Sequence, residues 1–244
     1  MKYPNLTLIL AQDSKAKSFL SDLISYCESK KVLLLTTSTR WKGDEEPKST
    51  QLARLLNDEL KESTLIEVPT LKIYECEGNV SKITGNNCGI KESLLKDESK
   101  NPSGYHRCWA SFNNQDDELW KITKEMFNSD IILFFASQRW GQTNSVFQKL
   151  IERLSWIENR KSTLEEDPIP VISKQKAGMI LFGHNWMVKE TLERELKVLE
   201  YFGWDTPPNL SYSWQYTKPE DETQESYLDA VPALEKDLGV KFEK

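Results

Sequence analysis

The chain has 244 residues, a length that suits one α/β domain with insertions or at most two small domains. Its 32 basic and 38 acidic side chains are interspersed and leave a net charge of -6, so we expect no nucleic acid partner. No apolar run approaches the roughly 20 residues that cross a bilayer, and the N-terminus lacks a secretory cleavage pattern. We therefore expect a cytoplasmic protein with no membrane partner.

The first two elements are a helix and a buried strand. Residues 14–30 predict an amphipathic helix, because the apolar side chains on one face recur at helical spacing. These are Phe19, Leu20, Leu23, Ile24 and Cys27. The following run, "KVLLLTTS" at 31–38, is continuously apolar until it reaches threonines, which is typical of a parallel strand buried on both faces.

A second helix and strand precede a long irregular segment. The helix follows Pro47, with Ser49 or Thr50 as its N-cap, and the strand begins at Thr64. Residues 69–114 are then rich in Asn, Gly, Lys and Ser, without a helical or strand period. Loops longer than about 15 residues are generally functional lids or disordered, so we expect a long loop or lid here.

The rest of the chain alternates helices and strands. These elements are a helix capped by Asp116, a strand at 130–137, a helix at 144–159, a strand at 177–184, a helix at 188–203 closed by Gly203, a strand at 209–216 and a helix at 222–239. Such alternation indicates right-handed crossovers and an α/β fold with a doubly wound parallel sheet. Five strands suit the order 2-1-3-4-5, with residues 1–30 as an N-terminal helical extension and residues 31–244 as the domain.

Polar side chains at the end of strand one predict an anion site. In such a sheet, ligands bind beyond the carboxyl ends of the strands, near the switch in strand order. The hydroxyls of Ser38, Ser49 and Thr50, the guanidinium of Arg40 and the free amides of the helix start at "STQL" converge there, which favours a phosphate. Alternatively, Ser49 or Thr50 is only a cap and Arg40 is a solvated surface charge.

This loop and the loop after strand three together resemble those of the NADPH-dependent FMN reductase family, which belongs to the flavodoxin superfamily. In that family the first loop reads approximately Gly-Ser-x-Arg-x-x-Gly-Asn-Ser/Thr and binds the FMN phosphate. The second often reads Ser-Pro-x-Tyr-Trp-Gly and lies along the isoalloxazine. The matching residues are Ser38, Arg40, Ser49 and Thr50 in the first loop and Ser137, Trp140 and Gly141 in the second.

The match has two departures and covers about Lys31 to Gly203. An acidic insertion, "DEEP", precedes the helix, and Gln138 and Arg139 replace the usual proline and tyrosine. The resemblance implies a flavodoxin-like fold that binds FMN. The cofactor-binding residues that we predict are Ser38, Arg40, Ser49, Thr50, Gln51, Ser137, Gln138, Arg139, Trp140, Gly141, His184 and Asn185.

The roles expected in the second loop follow from side-chain chemistry. Trp140 offers a flat wall for the ring, and the amides of 138–141 are placed to donate to its pyrimidine edge. Arg139 would bring positive charge near N1 and C2=O, where a reduced flavin is negative. The alternative is that Trp140 caps the core edge and Arg139 points to solvent. His184 is expected to support the ring or substrate, or to cap the next helix.

The cysteines raise a second question. Iron–sulfur flavoproteins, relatives of this family, carry a four-cysteine motif near this place, and Cys76 and Cys88 stand where its first and last ligands would fall. Asn79 and Lys82 occupy the middle positions, so we predict no cluster. A zinc site of Cys76, Cys88, His106 and Cys108 lacks a tight C-x(2–4)-C pair, and free thiols are expected. Tyr105 and Trp109 would pack a lid over the cofactor or merely anchor the loop.

We therefore expect an FMN-dependent NAD(P)H oxidoreductase. NAD(P)H, as co-substrate, would pass hydride to flavin N5, and a small acceptor such as a quinone or a flavin would take the electrons. That scheme requires no protein acid or base, so no catalytic residue and no metal ligand is predicted. The alternatives are a flavodoxin-type electron carrier that binds FMN but does not oxidise NAD(P)H, and a flavin-free interaction domain. The family resemblance also implies a homodimer.

Overall fold

The computed structural model describes residues 13–39, 46–78, 87–162, 172–183 and 186–215. Its strands are β1 Val32–Thr36, β2 Ser63–Glu67, β3 Ile131–Arg139, β4 Gln142–Thr143, β5 Lys176–Gly183 and β6 Tyr212–Gln215. Its helices are α1 Ser14–Cys27, α2 Lys48–Glu59, α3 Trp109–Asn113, α4 Leu119–Met126, α5 Ser145–Ser162 and α6 Val188–Phe202. The helix predicted at 222–239 lies outside the described residues.

Five of these strands form a parallel sheet in the order β2-β1-β3-β5-β6, with β4 paired only to β3. This is the predicted order 2-1-3-4-5, since β4 is a short antiparallel addition. All five residues of β1 and the first six of β3 are buried, as their unbroken apolar runs predict for central strands. In register, Leu34 lies between Leu65 on β2 and Leu133 on β3.

Alternate side chains of the strands enter two cores, one on each face of the sheet. On one face, α1 and α2 share a core with Leu34, Phe135 and Trp214. On the other face, α4, α5 and α6 share a core with Leu35 and Phe134. The helix predicted as an N-terminal extension is therefore one layer of the α/β sandwich, and its ring contact between Phe19 and Tyr212 spans 4.8 Å.

Three details of the helix ends test the predicted caps. Gly203 ends α6 with a left-handed φ of 110°, as expected for a C-cap glycine. Ser49 and Thr50 are wrong as N-caps, because α2 begins one residue earlier and Pro47 is its N-cap. Asp116 does not cap α4 either. Its carboxylate pairs with Lys72, which leaves Glu118 at the cap position.

The described residues of the segment predicted as a long loop pack on α4 and α5. It contains α3 and short 3-10 turns, which are too brief to show a period in the sequence. Its main anchor is a buried ion pair in which Arg153 Nη1 lies 2.8 Å from Asp117 Oδ2, with both side chains fully buried. Arg153 also donates to Tyr74 O and Ser111 Oγ, at 2.7 and 2.8 Å.

None of the helices in the described ranges is long and apolar enough to span a membrane.

Candidate functional site

The ends of β1 and β3 meet at the carboxyl edge of the sheet. Thr37 N donates to Phe135 O at 3.0 Å, so the two chains are still paired as β1 ends. The helices that follow these strands pack on opposite faces, α2 in one core and α5 in the other. Because the chain leaves the edge in two directions, a crevice opens between the first turns of α2 and α5.

Two serines meet on the α2 side of this crevice. Ser38 Oγ and Ser49 Oγ lie 2.7 Å apart, and Ser49 is in the first turn of α2. Whichever hydroxyl accepts this bond keeps its own hydrogen for a third group. The amides of Ser49 and Thr50 have no acceptor one turn earlier in the helix, so hydroxyl and amide donors lie together here.

The neighbouring side chains of the α2 start serve the fold. Thr50 Oγ1 lies 3.0 Å from Thr36 Oγ1 in a buried contact between α2 and β1. Gln51 is 3% exposed, and its Nε2 lies 3.3 Å from Glu46 O, which it reaches as a donor. The hydroxyl of Thr50 and the amide of Gln51 therefore shape the loop. Ser38 is partly exposed, whereas Ser49 is 1% exposed and lies behind it. Arg40 lies outside the described residues.

Asn144 joins the two strand ends, and it was missed in the sequence. Its Nδ2 donates to Thr37 Oγ1 at 3.1 Å and reaches Ser137 Oγ at 3.4 Å. Its Oδ1 accepts from Phe147 N at 3.1 Å, which makes Asn144 the N-cap of α5. An asparagine directly before the helical run that starts at Ser145 is a readable N-cap signal.

The loop after β3 is a two-residue hairpin. The strand continues to Arg139 and pairs with β4, where Gln138 lies opposite Thr143. Trp140 and Gly141 form the turn with left-handed φ angles of 50° and 70°. The prediction that the strand ends near Ser137 was therefore two residues short.

The hairpin presents its aromatic ring to the outside. Trp140 is 90% exposed, which contradicts the alternative that it caps the core edge. Arg139 is also exposed, and its Nη1 donates to the neighbouring carbonyl of Gln138 at 3.0 Å. The side chains at 139 and 140 are thus open to a ligand or a partner at this edge.

Gln138 brings a buried polar atom without a protein partner to this edge. Its side chain is only 8% exposed, yet within the described part of the chain Nε2 has no hydrogen-bond partner. Leaving a buried amide without a hydrogen bond costs roughly 1–3 kcal/mol of folding free energy. Such groups therefore usually have a partner in the functional state of a protein. The residues at this edge fit FMN in this respect: hydroxyls and helix amides for the phosphate, and an unpaired amide beside an exposed indole for the ring.

The end of β5 and the start of α6 lie against the hairpin. A Cβ on Gly141 would lie 3.4 Å from Met187 Sδ and 3.8 Å from Trp186 Cζ3, so the turn packs on these two residues. A Cβ on Gly183 would lie 2.2 Å from Val188 Cγ2, which explains why the strand ends in glycine. His184 and Asn185, between these residues, lie outside the described ranges.

Two cavities differ in their distance from the strand ends. A cleft of 110 Å³ lies at the carboxyl edge, lined by Thr39, Val68, Pro69, Leu71, Ile73, Val146, Lys149 and Leu150. A larger cavity of 640 Å³ is lined by Glu158, Lys161, Lys197, Glu200 and Tyr201. At about 1.5 Å per residue, Glu158 lies roughly 20 Å along α5 from its start, so the larger cavity is remote from the strand ends.

The middle of the long segment is also remote from this edge. Arg160 Nη1 donates to Tyr105 O at 3.1 Å, and Trp109 Nε1 donates to Asn87 O at 2.9 Å. Since Arg160 is about 22 Å along α5 from Ser145, Tyr105 anchors the segment and does not cover the crevice. Of the two roles predicted for Tyr105 and Trp109, anchoring is the one that these contacts support.

The buried cysteines and the histidine of this segment, Cys88, Cys108 and His106, are core groups. Cys27, Cys76, Cys88 and Cys108 are free thiols, and burial raises the pKa of Cys88 to about 12. Burial lowers the pKa of His106 to about 3, with the charge of Arg153 adding to the effect. Among the described residues, no group of three or more Cys, His, Asp or Glu side chains is placed to hold a metal ion.

Solved structures are similar to this chain at low sequence identity. RosB with bound 8-demethyl-8-formylriboflavin-5'-phosphate is 15% identical with a TM-score of 0.50, covering 75% of this chain and 64% of that one. An azoreductase from Bacillus anthracis is 11% identical (TM-score 0.45, 85% and 96% covered), and a flavone reductase is 14% identical (0.43, 75% and 54%). No family model and no curated protein matches the sequence.

The chain has a flavodoxin-like fold. The expected fold is thereby confirmed, whereas likeness at these identities does not extend to activity. This chain also spans just under two thirds, 64%, of the length of RosB. In the flavodoxin-like fold, the crevice between the first turns of α2 and α5 is the switch point, because β2 and β3 flank β1 on opposite sides.

The predicted site residues fall into three groups in this flavodoxin-like fold. Ser38, Ser49, Ser137 and the hairpin residues 138–141 lie at the crevice, joined through Asn144 and Thr37. Thr50 and Gln51 lie beside it with their side chains bonded within the protein. Arg40, His184 and Asn185 lie outside the described residues, so their placement stays a prediction.

Proposed function

We propose that this protein binds FMN at the carboxyl edge of its sheet and oxidises NAD(P)H, passing the electrons to a small acceptor such as a quinone or a flavin. The observation that carries the proposal is the link from Thr37 through Asn144 to Ser137. It brings the donors of the first loop and the hairpin of the second loop to one crevice. The flavodoxin-like fold and its switch point support the same location.

The first loop would hold the phosphate. Ser38 and Ser49 supply hydroxyls 2.7 Å apart, and the first turn of α2 supplies amides and the positive end of the helix dipole. Arg40 is proposed to add a bidentate cation. None of these groups needs to change its protonation state, so the loop binds and orients without taking part in chemistry.

The hairpin would hold the ring. When bound, FMN supplies hydride transfer from the nicotinamide and onward transfer to the acceptor. Gln138 Nε2 is available as a donor to the ring's polar edge, and the indole of Trp140 is available as a wall. The exposed guanidinium of Arg139 would stabilise negative charge on the reduced ring, and His184 and Asn185 are proposed to border it.

The exposed indoles also support a second proposal, that the protein is a homodimer. Trp140 and Trp186 are 90% and 53% exposed; Trp140 precedes Gly141 in the chain, and Trp186 packs against Gly141. Aromatic side chains are enriched in interfaces, where they anchor the contact. A sedimentation equilibrium experiment that returns the monomer mass of 28.3 kDa would exclude a stable dimer.

The decisive experiment uses purified protein incubated with FMN and then desalted. Retained flavin absorbance, followed by NAD(P)H oxidation with a quinone above the rate of free FMN, is the expected result. Retained flavin without such turnover would instead indicate an electron carrier. A colourless protein after desalting would remove the proposal and favour a flavin-free domain.

A variant pair locates the phosphate. Arg40→Ala and Ser49→Ala should each weaken FMN binding more than riboflavin binding, because riboflavin lacks the phosphate that these residues would contact. Isothermal titration with both ligands measures the difference. Equal losses for FMN and riboflavin would contradict a phosphate site in this loop.

A further inference from the structure

The hairpin turn that would support the ring is held from α6, a helix outside the predicted site. Arg194 Nη2 donates to Gly141 O at 2.6 Å. This bond fixes the carbonyl of the second turn residue, and hydrogen bonds from a charged donor are among the stronger ones in proteins. Arg194 is half exposed at its side chain, so it is not needed to fill the core.

The next residue of α6 holds the hairpin by a second route. Glu195 is 4% exposed, and its Oε1 accepts from Gln148 Nε2 at 3.4 Å. Gln148 Nε2 also donates to Thr143 Oγ1, on the strand that returns from the turn. The side-chain amide of Gln148 thus donates to both Glu195 and Thr143, and these hydrogen bonds link α6 through α5 to β4.

The turn needs such support because it is strained. Trp140 and Met187 are the two residues other than glycine with positive φ in the described ranges, and both lie against Gly141. A left-handed conformation is unfavourable for a bulky L residue, so it persists only where the surroundings enforce it. The exposed side chain of Trp140 supplies little of that support. It comes from the pairing of β3 with β4, from the packing of Gly141 on Trp186 and Met187, and from the bond of Arg194.

We propose that Arg194 and Glu195 are positioning residues that hold the Trp140–Gly141 turn in its left-handed conformation and thereby fix the face offered to the flavin ring. The part that concerns the ring rests on the proposed function. The part that concerns the turn does not, because the contacts belong to the protein alone. Neither residue touches the ring in this proposal; both act through the hairpin.

The first test needs no cofactor. Hydrogen exchange of the peptide at 137–144 is compared in the parent, Arg194→Met, Arg194→Lys, Glu195→Ala and Glu195→Gln. Arg194→Met and Glu195→Ala should each speed exchange of the hairpin amides about tenfold, while amides of β1 stay as in the parent. Arg194→Lys and Glu195→Gln keep a donor and an acceptor and should restore most of the protection.

A control on the same helix separates loss of the Arg194 and Glu195 contacts, which we call the tether, from general damage to α6. Glu193 is exposed and pairs with Lys189 at 3.8 Å, away from the hairpin contacts, so Glu193→Gln should leave exchange unchanged. The proposal is overturned if Arg194→Met and Glu195→Ala leave hairpin exchange within about twofold of the parent. It is equally overturned if exchange rises by the same factor in β1 as in the hairpin.

The second test measures how the flavin ring is held. In the FMN-loaded protein, Arg194→Met should change the visible circular dichroism of the flavin and lower kcat about tenfold, while the Kd for FMN changes less than about threefold, because the phosphate is held elsewhere. A large rise in Kd with unchanged circular dichroism would contradict positioning of the ring. If the parent itself binds no FMN, the proposed function fails, and the exchange experiment still decides whether the tether exists.

Discussion

Asn144 Nδ2 lies 3.1 Å from Thr37 Oγ1, although the two residues are 107 positions apart in the chain. The same side chain caps α5 through its Oδ1, so one amide sets both the start of a helix and the distance between two strand ends. The crevice width at the switch point therefore depends on a residue that is expected to contact no ligand.

A pair of substitutions separates the two tasks of Asn144. Asn144→Asp keeps the capping oxygen and loses the donor, whereas Asn144→Leu loses both. We expect Asn144→Leu to lower the free energy of unfolding by about 1–2 kcal/mol and Asn144→Asp to lower it by less, with FMN binding weakened in both. Urea unfolding and FMN titration measure the two effects. Unchanged FMN affinity in Asn144→Asp would show that the link to Thr37 does not set the crevice.

Gln138→Leu should act in opposite directions on stability and binding. In the protein without cofactor, the change removes a buried amide nitrogen that has no partner in the described structure, so stability should stay the same or rise by up to about 1 kcal/mol. FMN affinity should fall about tenfold, because a donor to the ring is lost. The measurements are urea unfolding without FMN and fluorescence titration with it. Parallel losses of stability and affinity would mean that Gln138 is an ordinary structural residue.

The elements that the sequence predicted well are those whose signal is local. The apolar runs of β1, β3 and β5 and the helical spacing of α1, α5 and α6 each identify an element without knowledge of the others. The β3–β4 hairpin was missed because turn chemistry favours Gly or Asn where this chain has Trp140 in a left-handed conformation. No local pattern announces that Arg153 pairs with Asp117, 36 residues away and fully buried.

The site residues also divide into those with a local sequence signal and those whose contacts depend on the packed fold. The sequence places Ser38, Ser49 and the second loop at the carboxyl edge because each follows a predicted strand or opens a predicted helix, and their role toward a ligand stays a prediction. Asn144 carried a readable cap signal, but its bond to Thr37 depends on the packed sheet. The contact of Arg194 with Gly141 joins a helix face to a turn 53 residues earlier, and it follows only from how α6 lies across the end of the sheet.

Neighbouring aspartates offer a matched test of the buried anchor. Burial alone would raise the pKa of Asp117, but hydrogen bonds and charge from Arg153 hold that pKa below its usual value. Asp117→Ala leaves Arg153 buried without its counter-ion and should cost about 3–5 kcal/mol in the free energy of unfolding. Asp116→Ala breaks an exposed pair with Lys72 and should leave stability nearly unchanged. Guanidinium unfolding of both variants compares them, and similar losses would contradict the anchoring role of Arg153.

His106 makes a prediction about pH. Its Nδ1 lies 2.7 Å from Thr123 Oγ1 in a buried contact, and among the described residues its Nε2 has no hydrogen-bond partner. Burial, with the charge of Arg153, lowers the pKa of His106 to about 3 in the folded protein, compared with about 6.5 in the unfolded chain. Below pH 6.5 the unfolded chain therefore binds a proton that the folded protein refuses, and stability falls as the pH is lowered.

The size of this effect follows from the two pKa values. Between pH 7.5 and 5.0, His106 should remove about 2 kcal/mol from the free energy of unfolding, with the loss continuing until the pH approaches the folded pKa. His106→Gln loses stability at every pH, but its unfolding free energy should change by about 2 kcal/mol less than that of the parent over this range. Urea unfolding at the two pH values gives the change in unfolding free energy with pH for each protein. The carboxylates contribute equally to this change in both proteins. An equal change with pH in both proteins would show that His106 is protonated in the folded protein or reaches water there. It would contradict a buried, neutral imidazole stacked on Trp156.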